Sequence, residues 1–290
     1  MLTKRIPLPF EGKENAYLDL YVPAVGEKTL VTRRPTVLVI PGGGYSKVSY
    51  REGECIALRF MAEGFNAAVL CYSTKEDARF PQSLCEAALA MAHLKENADV
   101  YGLDPKRFYT CGFSAGGHLA LSLGVFWDKE WLSRRIGKNS ELLRPTAQIL
   151  AYPVVVSDPA FRHNGSIAKL VGDAPDQEAL DLVSLEKQVS EQTPPTFLWT
   201  TQSDPVVPVE NSLVLASCLQ KAGVPLELHV YGWGRHGLSL ANRQSQNIEN
   251  YGKELKMSQN NPHIATWLPL CFEWLDEMFG VTMNLTEDPQ

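Results

Sequence analysis

The sequence predicts an α/β protein: a mostly parallel central sheet of about eight strands with helices on both faces. Three observations carry that expectation. Short apolar runs rich in β-branched residues alternate with stretches of helical periodicity from about residue 35 onward. The runs are continuous, as in strands buried on both faces, and do not alternate as half-exposed strands do. The chain has 290 residues, 44% apolar and 21% charged, enough to bury a substantial core without disulfides or metal.

Taken in order, residues of about 3–8 and 16–22 can add two N-terminal strands. Thr36-Val37-Leu38-Val39-Ile40 is a buried strand that ends abruptly at Pro41-Gly42-Gly43-Gly44, a turn that needs unusual backbone angles. Residues 51–64 read as a helix stopped by Gly64, and Asn66 to Tyr72 as the next strand. Leu84, Ala87, Ala88, Met91 and Leu94 fall at helical spacing, with Pro81 in the first turn. Arg107 to Cys111 is a strand, Ser114 to Val125 an Ala- and Leu-rich helix, and Ala147 to Tyr152 a further strand. Residues 154–195 have another texture, with Pro, Gly, Asp and Ser and weak periodicity. A long irregular stretch inside a compact domain is usually functional, so a single domain spanning 1–290 with a cap-like insertion at 154–195 is expected. Alternation then resumes with a strand at Thr196 to Thr201, a helix at Val209 to Ala222 and a strand at Leu226 to Tyr231. Trp267, Cys271, Trp274, Leu275 and Met278 mark the apolar stripe of a C-terminal helix.

The formal net charge of −6 gives no electrostatic reason to expect nucleic acid as a partner. No apolar run reaches the roughly 18 residues of a membrane span, and the N-terminus has no apolar core of signal-peptide length. The six cysteines, Cys55, Cys71, Cys85, Cys111, Cys218 and Cys271, are widely spaced and lie in strand-like or helix-like runs. Small buried thiols in a reducing compartment account for them, and a cytoplasmic protein is expected. A homo-oligomer is compatible with all of this.

The strongest motif is Gly112-Phe113-Ser114-Ala115-Gly116, followed by Gly117-His118. It matches G-x-S-x-G between an expected strand and an expected helix, the context the motif requires. A sharp turn there would project the Ser114 hydroxyl at a helix N-terminus, where free N–H groups stabilise negative charge. The bland alternative is a Gly-rich helix start capped by Ser114. A serine needs a base. Of the six histidines, His93 and His229 lie within regular elements and His118 points away from Ser114. His236 sits in Trp233-Gly234-Arg235-His236-Gly237-Leu238, just after the last strand, and loops at carboxyl ends of parallel strands build sites in such folds. His236 is the candidate base. His163 is the reserve candidate, or a substrate contact. Asp204, directly after the penultimate strand, is the candidate orienting carboxylate, with a turn-forming role before Pro205 as the alternative. Acyl transfer also needs rigid N–H donors aimed at the developing oxyanion. Ala115, after the nucleophile, and Gly43 with Gly44, in the loop after the third strand, are the candidates.

With PGGGY, GFSAGGHLA, SDPVVP and GRHGL in this order over most of the chain, the sequence resembles the α/β-hydrolase superfamily. Within it, the chain is similar to small esterases related to hormone-sensitive lipase and to bacterial acetyl-xylan esterases. TPPTFLWTT and AGVPLELHVYGWGRHG look especially like the acetylesterases that accompany xylan-degrading enzymes. The resemblance implies Ser114 as nucleophile, His236 as base and acid, Asp204 as its orienter, Ala115 with Gly43 and Gly44 as oxyanion hole, and no metal or organic cofactor. One departure is visible: Pro41 stands where the lipase-like pattern has His. The expected substrate is a small carbohydrate ester with a short acyl group, with the sugar implied by the resemblance alone. Tyr45, Tyr72 and Trp233 could line a platform for the sugar, or pack in the core or rim. An oligopeptidase or a non-catalytic binder on the same fold are the competing readings; dipeptidyl cleavage usually needs a further gating domain, and a binder would not need all three of Ser114, Asp204 and His236.

Overall fold

The computed structural model describes residues 1–26, 31, 33–248 and 258–280. The strands are β1 (Leu2–Pro7), β2 (Tyr17–Val22), β3 (Arg34–Ile40), β4 (Asn66–Cys71), β5 (Leu103–Phe113), β6 (Ala147–Ala151), β7 (Thr196–Thr201) and β8 (Leu226–Tyr231). They form one sheet in the order β1-β2-β4-β3-β5-β6-β7-β8. β1 pairs antiparallel with β2, and β2 antiparallel with β4. All pairings from β4 to β8 are parallel. The helices are α1 (Glu54–Ala62), α2 (Gln82–Glu96), α3 (Ala98–Tyr101), α4 (Ala115–Phe126), α5 (Glu130–Ile136), α6 (Asn164–Val171), α7 (Gln177–Leu182), α8 (Glu210–Lys221) and α9 (Trp267–Phe279).

Because successive side chains of a strand face opposite ways, a continuous apolar strand feeds two cores. Leu38 and Ile40 of β3 join Leu70, Leu150 and Leu198 in a core shared with α2, α4 and α8. Val37 and Val39 join Phe113, Ile149 and Trp199 in a second core covered by α1 and α9. This is the α/β-hydrolase fold that the sequence implies. Among the described residues, no helix is long and apolar enough to cross a membrane.

Three local differences from the sequence expectation have simple causes. β5 begins at Leu103, earlier than its apolar run, because its first residues include the polar Asp104 and the exposed Pro105 and Lys106. The helix expected over 51–64 is a 3-10 turn, Tyr50–Glu52, followed by α1, with Gly53 at φ −106°, ψ −105° between them. Residues 154–195 hold α6, α7 and a 3-10 turn at Leu185–Lys187. Both helices start on a side-chain cap: the His163 imidazole accepts from the Ser166 N–H, and the Asp176 carboxylate from the Ala179 N–H. Asn211 of α8 fastens the start of the segment, its Oδ1 accepting from the Val155 and Val156 N–H groups and its Nδ2 donating to the Phe161 carbonyl.

Candidate active site

The apolar end of β5 stops at Ser114, and α4 begins at the next residue. Ser114 has φ 54° and ψ −118°, a conformation that costs a non-glycine residue roughly 1–3 kcal/mol and persists only where the surroundings enforce it. The neighbouring glycines let the surroundings close in. A Cβ on Gly112 would lie 2.3 Å from the Gly116 carbonyl oxygen, and one on Gly116 would lie 2.1 Å from that of Ile40. β5, the first turn of α4 and the end of β3 are thus pressed together around the serine. The Ser114 backbone is pinned as well, its N–H donating to the Ala151 carbonyl and its carbonyl accepting from the Val154 and His118 N–H groups. The hydroxyl makes no capping bond to α4.

Instead, the Ser114 Oγ lies 2.7 Å from His236 Nε2, and His236 Nδ1 lies 2.7 Å from Asp204 Oδ2. Carboxylate oxygens only accept, so Nδ1 carries the proton and Nε2 is the acceptor for the serine hydroxyl. The Asp204 side chain is 1% exposed and that of His236 16%. The other carboxylate oxygen of Asp204 accepts from the Val206 and Val207 N–H groups at 2.8 and 3.0 Å. The loops after β7 and β8 are stitched together beneath these side chains. The Thr201 and Ser203 hydroxyls both donate to the Gly234 carbonyl, and the Gly234 N–H donates to Ser203 Oγ. The Tyr152 ring stands edge-on to the His236 ring, 5.0 Å between centroids.

The glycine loop after β3 runs directly beside the serine: a Cβ on Gly42 would lie 3.0 Å from Ser114 Cβ. The Gly42 N–H is taken by Glu52 Oε2 at 3.0 Å. Gly43 and Gly44 have φ of 122° and 64°, and their N–H groups donate to no described protein atom. The Ala115 N–H sits in the first turn of α4, where no intrahelical acceptor exists. Gly43, Gly44 and Ala115 therefore bring backbone donors to the neighbourhood of Ser114.

Two expected substrate contacts are better explained by packing. Tyr45 and Tyr72 are buried, with rings 5.7 Å apart edge to face. The Tyr45 hydroxyl bonds to His118 Nδ1 at 2.8 Å, and the Tyr72 hydroxyl donates to the Pro41 carbonyl. Neither presents a face to a sugar, because both rings are all but fully buried and both hydroxyls are bonded within the protein. Trp233 is 62% exposed. His118, bonded also to the Val183 carbonyl through Nε2, links the glycine loop to the 154–195 segment. Burial pushes its pKa down to about 4, so it is neutral and its Nε2–H is the donor.

Several supporting residues escaped the sequence reading. Glu52 is buried, and besides holding Gly42 it accepts from the Tyr152 hydroxyl at 2.7 Å. The same hydroxyl accepts from the Ser239 N–H, in the loop that follows His236. Arg51 donates to the Gly237 and Ser245 carbonyls of that loop. The pair Arg51-Glu52 thereby ties the glycine loop to the histidine loop. The one available signal was a charged pair separated by six residues from a glycine turn, and nothing in the sequence separates it from a solvated helix start.

The BD-FAE family profile matches residues 18–219, more than half of the chain. The chain belongs to the BD-FAE family. This BD-FAE protein is 31% identical to the acetyl ester-xyloside bifunctional hydrolase of Caldicellulosiruptor lactoaceticus, with a TM-score of 0.78 over 96% of this chain and 97% of that one. It is 39% identical to endo-1,4-beta-xylanase B of Butyrivibrio fibrisolvens over 72% of this chain and 33% of that protein. It is 27% identical to the acetylxylan esterase of Xylanibacter ruminicola over 86% of this chain and 51% of that protein. The chain thus spans about a third and about half of these two curated relatives.

Proposed function

We propose that this BD-FAE protein is a serine carboxylesterase that removes short acyl groups, acetyl above all, from small carbohydrate esters such as acetylated xylo-oligosaccharides. The observation that carries the proposal is the unbroken line Asp204 Oδ2, His236, Ser114 Oγ, with both contacts at 2.7 Å. The ester- and xylan-directed names of its relatives support the substrate class.

His236 Nε2 accepts the Ser114 proton as Oγ attacks the ester carbonyl carbon. The carbonyl oxygen becomes an oxyanion, which in this reading the N–H groups of Ala115 and the Gly43–Gly44 turn receive. Asp204 holds the ring in place and balances the imidazolium. The imidazolium returns its proton to the departing alkoxide, leaving an acyl-serine. Water then gives a proton to Nε2 as it attacks the acyl carbon, the acyl carbon–Oγ bond breaks as the imidazolium returns that proton to Ser114 Oγ, and the acid is released. In this reading residues 154–195 act as a cap over the site, and the exposed Trp233 ring offers an apolar face to the sugar.

Activity on methyl xyloside acetates and aryl acetates, measured for wild type and Ser114→Ala, tests the proposal. Turnover by the wild type and its loss by orders of magnitude in the variant is expected. Undiminished ester hydrolysis by the variant would end it.

A further inference from the structure

His163 is the histidine that the proposed reaction leaves unused although it borders the site. It is the N-cap residue of α6. A Cβ on Gly44 would lie 3.6 Å from His163 Cε1, so the imidazole edge packs against the glycine turn that follows β3. Its Nδ1 receives two donors, the Ser166 N–H at 3.1 Å and the Ser166 hydroxyl at 2.8 Å. A backbone N–H can only donate, so Nδ1 must be unprotonated and the proton must sit on Nε2. Capping therefore fixes tautomer and ring orientation together. Burial, and then the neighbouring His236, push the His163 pKa below its ordinary value and keep the ring neutral. The Nε2–H of this half-buried ring meets no described acceptor in the protein, whereas the fully buried His118 spends its Nε2–H on a carbonyl.

We propose that His163 is a substrate-binding residue whose fixed Nε2–H donates a hydrogen bond to an oxygen of the alcohol part of the ester, selecting oxygen-bearing alcohols over hydrocarbon ones. This rests on the esterase reading of Ser114 and deepens it. A neutral donor suits an uncharged hydroxyl or ether oxygen, because it carries no charge to attract carboxylates and its Nδ1 is already occupied by Ser166. A site that presents a donor to a substrate oxygen discriminates against analogues that lack it, since the donor is then left unpaired.

The test compares a monoacetylated methyl xyloside with cyclohexyl acetate, a ring of the same size without the oxygens. His163→Asn removes the Nε2–H, and Asn is a preferred N-cap residue, so α6 keeps its cap. The variant should lose about tenfold in kcat/KM on the xyloside, with cyclohexyl acetate changed by less than about twofold. His163→Ala, with folding checked by thermal denaturation, should give the same split. Equal losses on both esters would mean general damage to the site and would overturn the inference, as would no loss on either. A wild type that cleaves neither ester would instead remove the esterase reading and this inference with it.

Discussion

Replacing Asp204 with Asn exchanges one oxygen for an NH2 group, and the structure dictates which oxygen is lost. Oδ1 accepts from the Val206 and Val207 N–H groups. An amide nitrogen there would confront two donors, so the Asn carbonyl must take the Oδ1 place. The NH2 then occupies the Oδ2 place, 2.7 Å from His236 Nδ1, and donates to it. Nδ1 becomes an acceptor, the ring proton moves to Nε2, and Nε2 no longer accepts from Ser114. Without the carboxylate, which is 1% exposed and hence poorly screened, the imidazolium also loses its counter-charge. Forcing the wrong tautomer in a Ser-His-Asp array costs about 10⁴ in kcat, or about 5 kcal/mol of transition-state stabilisation. The loop should survive, because both Oδ1 bonds remain. The assay is kcat on 4-nitrophenyl acetate at pH 7 with thermal melts of both proteins. A folded Asp204→Asn protein retaining a tenth or more of wild-type kcat would refute the assignment of Asp204.

Three further outcomes are expected. Glu52→Gln sets a donor against either the Gly42 N–H or the Tyr152 hydroxyl; it should cost about 2 kcal/mol in denaturant unfolding and lower kcat more than it raises KM, whereas wild-type kcat would show that Glu52 does not hold the glycine loop. Gly116→Ala puts a Cβ 2.1 and 2.4 Å from the Ile40 and Pro41 carbonyl oxygens, backbone atoms that cannot step aside, so overpacking of about 3 kcal/mol or more should appear as a large fall in soluble, active protein; a variant that melts at the wild-type temperature would contradict the close approach. His118 has a folded-state pKa of about 4 against an ordinary 6.5, so the unfolded chain binds the extra proton between these values. Its contribution is fully present above pH 6.5 and is lost as pH falls toward 4, about 3 kcal/mol in all. His118→Gln should therefore show a shallower loss of melting temperature from pH 7 to 4.5 than wild type, and identical slopes would remove His118 from the acid response.

What the sequence revealed and what it hid divide along physical lines. Strands buried on both faces, such as β3 and β7, announce themselves as continuous apolar runs, and the G-x-S-x-G turn is bound to its strand–helix context. Ser114, Asp204 and His236 were legible because each follows a strand end, and parallel strands bring those ends to one side of the sheet. The polar start of β5 carried no apolar signal. Tyr45 and Tyr72 were ambiguous because a tyrosine beside a loop can face in or out, and their burial depends on His118 and Pro41, distant in the chain. Glu52 was hidden for the same reason. A buried carboxylate looks like any other until its donors, Gly42 and Tyr152, are brought to it across 10 and 100 residues. His163 was open between base and substrate contact, and its cap to Ser166 gives the orientation that the sequence lacked.

In the proposed reaction Ser114, activated by His236, forms an acyl-enzyme with short-chain esters. Treating wild type and Ser114→Ala with a fluorophosphonate, mapping the labelled peptide, and assaying both on acetyl, butyryl and octanoyl aryl esters tests it most directly. Stoichiometric labelling at Ser114, turnover falling with acyl length, and neither label nor turnover in the variant are expected. Label on another residue, or ester hydrolysis that survives the loss of Ser114, would contradict it.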